Sequence, residues 1–138
     1  MSKMIFINLP VADLGKATAF YEALGAVKNG QFSDETTTSC MVFSDTIHAM
    51  LLTHDRFRDF TSKPIADAHA ATEVLVALSV ESRAEVDELA TKAIGAGGRA
   101  DPGPVQDHGF MYSRSVEDPD GHIWEMFWMD VNAAPDAA

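Results

Sequence analysis

The sequence predicts an α+β protein built from tandem βαβββ repeats, and three observations carry that prediction. Laid over itself at an offset of 69, the chain puts Leu9 on Leu78, Val11 on Val80, Ala17 on Val86 and Phe20 on Leu89. At the same offset two helix-capping residues coincide, Asp13 with Ser82. By hydrophobic period each half reads strand, helix, strand, strand, strand. One such unit leaves a sheet face bare, so two related units cover or share it.

The first strand is expected over Met4 to Leu9, an apolar run ended by Pro10, which has no N–H to give to a ladder. Asp13 is a good N-cap for a helix that carries Leu14, Ala17, Phe20, Tyr21 and Leu24 at helical spacing, and Gly25 stands where a C′ residue belongs. After the polar stretch Lys28 to Ser39, a strand over Cys40 to Phe43, a loop at Ser44 to Thr46 and a returning strand from Ile47 to about Thr53 complete the first half. The segment His54 to Thr72 has no clean period and carries Pro64 among mixed charges. It reads as a linker with a short helical turn at Phe57 to Phe60. The opening pattern then returns. VLVALSV is a strand, Ser82 and Glu85 form a capping box, and Val86, Leu89, Ala90, Ala93 and Ile94 line one face of a helix stopped by Gly95, Gly97 and Gly98. A loop rich in Pro and Gly, Asp101 to Asp107, leads to a strand over Phe110 to Val116. Residues 132–138 read as a frayed tail.

At 138 residues, with 46% hydrophobic and 22% charged residues, the chain has enough apolar material for one good core. A formal charge of −11 repels phosphate backbones and anionic membrane surfaces, so neither nucleic acid nor a membrane is an expected partner. No apolar run approaches the length of a membrane span. The lone cysteine, Cys40, has no adjacent basic residue to lower its pKa and reads as a small packed hydrophobe. The start, MSKMIFINLP, is broken too soon by Asn8 and Pro10 for a signal peptide, which makes the cytoplasm the expected location.

The chemistry concentrates in Val116 to Asp130, VEDPDGHIWEMFWMD. Asp118, Pro119, Asp120 and Gly121 each suit their place in a turn. A strand follows in which Ile123, Glu125, Phe127 and Met129 point one way and His122, Trp124, Met126 and Trp128 the other. Both faces are largely apolar, so the strand is expected to be covered on both sides. Glu125 is then the only charge on its face, and a buried carboxylate has to be paired, hydrogen-bonded, protonated or bound to metal.

The tandem repeat, the VADL before the first helix with AFYEALGA inside it, and EDPDGHIWE near the end resemble the vicinal oxygen chelate superfamily. This group includes glyoxalase I, fosfomycin and bleomycin resistance proteins and extradiol dioxygenases. The resemblance covers roughly residues 4 to 130, and its most specific element is the DPDG turn followed, four residues after its glycine, by a carboxylate. It implies one domain over 1–138, with modules of about 4–55 and 73–130 and a linker of about 56–72. The strands are expected to form a partly open, barrel-like mixed sheet around a central cavity, with the helices outside. In metal-using members, ligands lie on the first strand of each half, seven residues before the cap, and on the last strand of each half. Here those positions hold Phe6, Leu75, about Leu51, and Glu125. One carboxylate with hydrocarbon neighbours is too small a ligand set for a divalent ion, so no metal and no cofactor are expected.

The cavity that alternation draws pairs Asn8 with Phe6, Thr53 with Leu51, Ala77 with Leu75, and Ile123 and Phe127 with Glu125. Counting from Leu51, His48 and His54 point away from it. On the preceding strand Met111, Ser113 and Ser115 form one face, and comparison with fosfomycin resistance relatives turns that face inward. His108, between a loop and a strand, is the imidazole best placed to lean over a cavity mouth, where it suits proton transfer near neutral pH. Two readings follow. The first is a metal-free homodimer resembling bleomycin resistance proteins that binds a small, mainly apolar molecule through Phe6, Asn8, Leu51, Thr53, Leu75, Met111, Ser113, Ser115 and Phe127. The second is a lyase or dioxygenase-type enzyme of the same superfamily with Glu125 as general base and His108 assisting, with or without a divalent ion.

Overall fold

The structure is a computed structural model that describes residues 2–132; of the expected tail at 132–138, residues 133–138 lie outside the described residues. The first half contributes β1 (Ile5–Val11), α1 (Leu14–Ala23), β2 (Val27–Asn29), β3 (Thr38–Val42) and β4 (Ile47–Thr53). A short helix α2 (His54–Phe57) opens the linker. The second half contributes β5 (Leu75–Ser79), α3 (Arg83–Gly95), β6 (Arg99–Ala100), β7 (Gln106–Asp107), β8 (Met111–Glu117) and β9 (Ile123–Met129). The strands form two open mixed sheets, ordered β1-β4-β3-β2 and β5-β9-β8-β6, with β7 paired to β8. In both sheets the first strand of the half lies beside the last, in parallel, so the two halves share one topology.

The repeat extends to the helix ends. Asp13 and Ser82 cap α1 and α3 by accepting from Lys16 N and Glu85 N. Both helices stop in a Schellman turn: Gly25 and Gly97 take positive φ of 105° and 94°, and the next residues, Ala26 and Gly98, donate to Tyr21 O and Ala93 O. In the capping box Glu85 reaches Glu81 N, one residue before the cap. Ile94, expected on the apolar face of α3, is exposed, while Val86, Leu89, Ala90 and Ala93 are buried.

Pro10 does not end β1, which runs on to Val11. Its carbonyl lies 2.9 Å from His122 Nε2, and a strand residue points N and C=O to the same edge, so the missing N–H falls on the side away from β4. β1 is an edge strand and tolerates it.

One core serves both halves. Leu9, Val11, Met41, Ala49 and Leu51 of the first sheet cluster with Ala17, Phe20 and Tyr21 of α1, with Val86, Leu89 and Ala90 of α3, and with Val116, Trp124 and Met126 of the second sheet. Trp124 stacks obliquely on Phe43, ring centroids 5.1 Å apart, and donates its indole N–H to Tyr21 Oη at 2.9 Å. Tyr21 in turn donates to Asp118 Oδ2 at 2.6 Å, and Asp118 Oδ1 accepts from Asp120 N and His122 N. This buried chain ties α1 to the DPDG turn. Among the described residues no helix is long and apolar enough to cross a membrane.

Candidate functional site

The register of β5, β9 and β8 fixes the floor of the site. Glu125 has Ala77 beside it on β5 and Ser115 on β8; Phe127 has Ser79 and Ser113; Ile123 has Leu75 and Glu117; Met129 has Met111. Directly paired residues share a face, so the structure brings Glu125, Leu75, Met111, Ser113, Ser115 and Phe127 together on one side of the second sheet. Tyr112 and Arg114 take the other side, where they bond Asp87 of α3, and Arg114 also bonds Asp101.

The strand β9 is covered on one side only. Trp124 and Met126 are buried against the helices, whereas Glu125, Ile123 and Phe127 are half-buried, Leu75 is 57% exposed and Met129 is 38% exposed. The expectation of cover on both sides is therefore met only in part within one chain: this face is half-buried. The serines are the sheltered part: loop residue Gly103 donates its N–H to Ser115 Oγ at 3.2 Å, and β7 pairs back onto Ser113 and Tyr112. No ion pair among the described residues includes Glu125.

On the first sheet β1 pairs in parallel with β4, Phe6 with His48, Asn8 with Met50 and Leu9 with Leu51. Leu51 accordingly sits with Leu9 on the helix side, fully buried in the core, and Thr53 lies beside Val11 and caps α2 by accepting from Arg56 N. Neither shares a face with Phe6, which corrects the expectation for both. The place is taken by His48, expected to point away: its ring stacks on Phe6 with centroids 4.2 Å apart and planes within 11°. Phe6 and Asn8 stand exposed beside it. Both sheets turn their opposite faces to one common core, and Asn8 of the Phe6 face and Ile123 of the Glu125 face border one hollow.

His108 closes the hairpin between β7 and β8, its N–H on Met111 O and its Nε2 3.3 Å from Gln106 Oε1. Along β8 from Met111 to Ser115, the rung of Glu125, is about 13 Å at the usual rise per strand residue. His108 and Glu125 are thus not brought together in one chain. Cys40 is buried, and burial pushes its thiol up, away from the reactive thiolate.

The donor set does not fit a divalent ion. Phe6 and Leu75 offer hydrocarbon, Leu51 is in the core, and among the described residues no group of three or more His, Cys, Asp or Glu side chains is arranged to hold a metal. Reading from sequence missed His48 as a neighbour of Phe6, and it missed the Tyr21, Asp118 and Trp124 chain. The aromatic at Tyr21 could have been matched to the DPDG turn only through the three-dimensional packing of the two halves.

Comparison with known proteins agrees with this geometry. The structure resembles that of hypothetical protein SA1046 from S. aureus, with 26% identity, a TM-score of 0.75 and 93% and 94% of the two chains covered. It resembles a glyoxalase-related enzyme from Fulvimarina pelagi at 20% identity and a TM-score of 0.77, covering 95% and 91%. The fosfomycin resistance protein FosX from Mesorhizobium loti shares the fold at 17% identity and a TM-score of 0.63, covering 96% and 93%. No curated protein sequence matches the chain. A family model matches residues 3–126, and by that match the chain belongs to the Glyoxalase/Bleomycin resistance protein/Dioxygenase superfamily.

Proposed function

We propose that the protein binds a small, mainly apolar molecule on the Glu125 face, in a cavity closed by the Phe6 face of a second copy. The observation that carries this reading is a half-buried carboxylate outside any ion pair, Glu125, set in a floor of Leu75, Ala77, Ile123 and Phe127, while Glu117 on the same face is taken up by Arg99. Such a floor supplies apolar contact, and Glu125 with Ser113 and Ser115 supplies the few polar anchors that orient a ligand. The carboxylate and the −11 charge favour a ligand that is neutral or cationic.

A catalytic reading uses the same residue. Glu125 is not committed to an ion pair, so it is available to take a proton from a molecule lying on the sheet. The experiment is a screen of small neutral and cationic compounds by thermal shift, repeated with nickel, zinc, manganese and iron(II). A compound that stabilises the protein without metal, and loses its effect by about tenfold in affinity in Glu125→Gln, supports the binding reading. Strong stabilisation by one divalent ion alone sinks it. Turnover of a bound compound that Glu125→Gln abolishes, with unchanged affinity, moves Glu125 from anchor to base.

A further inference from the structure

We propose that the segment 58–74, which straps across the junction of the two halves, covers a second binding site, one for a small amphipathic carboxylate. Under the strap lies a chamber of about 310 Å³ walled by Leu9, Phe57, Ile65, Val76, Ile123 and Trp124. None of Glu125, Ser113, Ser115 or Phe127 lines it, and it meets the site above only at Asn8 and Ile123. An apolar cavity of roughly 150 Å³ takes up benzene, so this chamber has room for a body about twice that size.

The chamber adjoins a wider, polar one of about 570 Å³. Pro10, His122 and the strap residues Pro64, Ile65, Ala66 and Ala68 border both, so a ligand with an apolar body in the first places its head in the second. The head would meet His54, Arg58, His69 and His122, against Asp67 and Asp120. The acids are already engaged: Asp120 accepts from Ala12 N at 2.8 Å and Asp67 from His69 N at 3.0 Å. Arg58 is held only by a surface pair with Asp55, whose side chain is almost fully exposed, and such pairs are weak and easily exchanged. Arg58 and the imidazoles of His54, His69 and His122 gather N–H donors around one hollow, and guanidinium matches the planar fork of a carboxylate.

The strap is seated, not loose. His122 and Asp120 of the turn hold β1 from one side, and Gly121 packs directly on the backbone of Ala68 and His69. Its packing gives the chamber a roof, and the ligand is enclosed between the halves.

The probes are 4-phenylbutyrate and 4-phenylbutylamine, which share a body and differ in head charge, titrated by calorimetry and by amide NMR. The acid is expected to bind about tenfold tighter than the amine, and Arg58→Gln to weaken the acid about threefold without touching the amine. Ala71→Trp or Ala66→Trp, which fill the chamber, should each lower affinity for the acid about tenfold, while Ala77→Trp, on the Glu125 face, leaves it within about twofold. Equal binding of acid and amine overturns the proposal. So does loss on Ala77→Trp with retention in both chamber-filling variants, or no saturable binding of the acid by about 5 mM. Ligands of the Glu125 face report the reverse pattern, so failure of one site leaves the other standing.

Discussion

Tyr21 is the residue on which the joint between the halves depends most. Its hydroxyl accepts from Trp124 and donates to Asp118, and all three side chains are buried. Tyr21→Phe leaves a buried indole N–H and a carboxylate oxygen without their partner, a loss of about 1–3 kcal/mol. Urea unfolding should show a lower midpoint at an unchanged slope; an unchanged midpoint would mean that water replaces the hydroxyl. Asp118 adds a pH dependence of unusual sign. Burial pushes its carboxyl above the ordinary aspartate value, while the charge of His122, the Tyr21 hydroxyl and two backbone N–H groups pull it back. A folded-state pKa above the unfolded one gives stability that is complete below the unfolded pKa and lost as pH rises through the folded one. Relative to Asp118→Asn, the native protein should therefore gain stability as pH falls from 7 towards 4. A native protein that loses stability relative to that variant over the same range contradicts the direction.

At the level of elements, the glycine of the DPDG turn couples β9 to the strap. Gly121 has φ of 94°, and a Cβ added there would lie 2.6 Å from the backbone of Ala68 and His69. Gly121→Ala is expected to cost at least about 1–3 kcal/mol and to loosen the strap, so that proteolysis within 58–74 speeds up while the helices stay protected. Cleavage spread evenly over the chain would mean global unfolding instead. The cap of α3 gives a smaller effect: Ser82→Ala removes the acceptor for Glu85 N, a loss of about 0.5–2 kcal/mol read from thermal unfolding.

The same elements show what was legible in the sequence. Both helices were, because their caps, apolar spacing and terminal glycines agree with one another. So was the face of β9, where Glu125 breaks an apolar alternation and marks the phase. β4 was not: in IHAMLLT both faces are apolar, so alternation has no contrast, and a count that started from Leu51 put Thr53 in the cavity and His48 outside it. The helical turn at the start of the linker begins at His54, three residues before the expected Phe57, because Thr53 serves as its cap. The strap's roof was invisible for a different reason: no local pattern of hydrophobic period encodes contacts between the linker and the seam of two modules.

Taken whole, the molecule is incomplete on its outer faces. Each half buries one side of its sheet in the shared core and leaves an apolar residue open on the other, Phe6 on β1 at 46% exposure and Leu75 on β5 at 57%. The two edges are first strands of matching modules, so a second copy related by two-fold rotation would set β1 of one chain against β5 of the other, twice over. That arrangement would lay Phe6 and His48 of one chain over Glu125 of its partner. The prediction is a dimer by light scattering at micromolar concentration, converted to a folded monomer by Leu75→Glu and by Phe6→Glu. Each copy carries −11, so association works against repulsion and should tighten as sodium chloride rises from about 20 to 150 mM, where the screening length shrinks towards 8 Å. A wild-type chain that stays monomeric at every concentration, yet still binds the ligand of the Glu125 face, removes the second copy from the site and leaves the open sheet to act by itself.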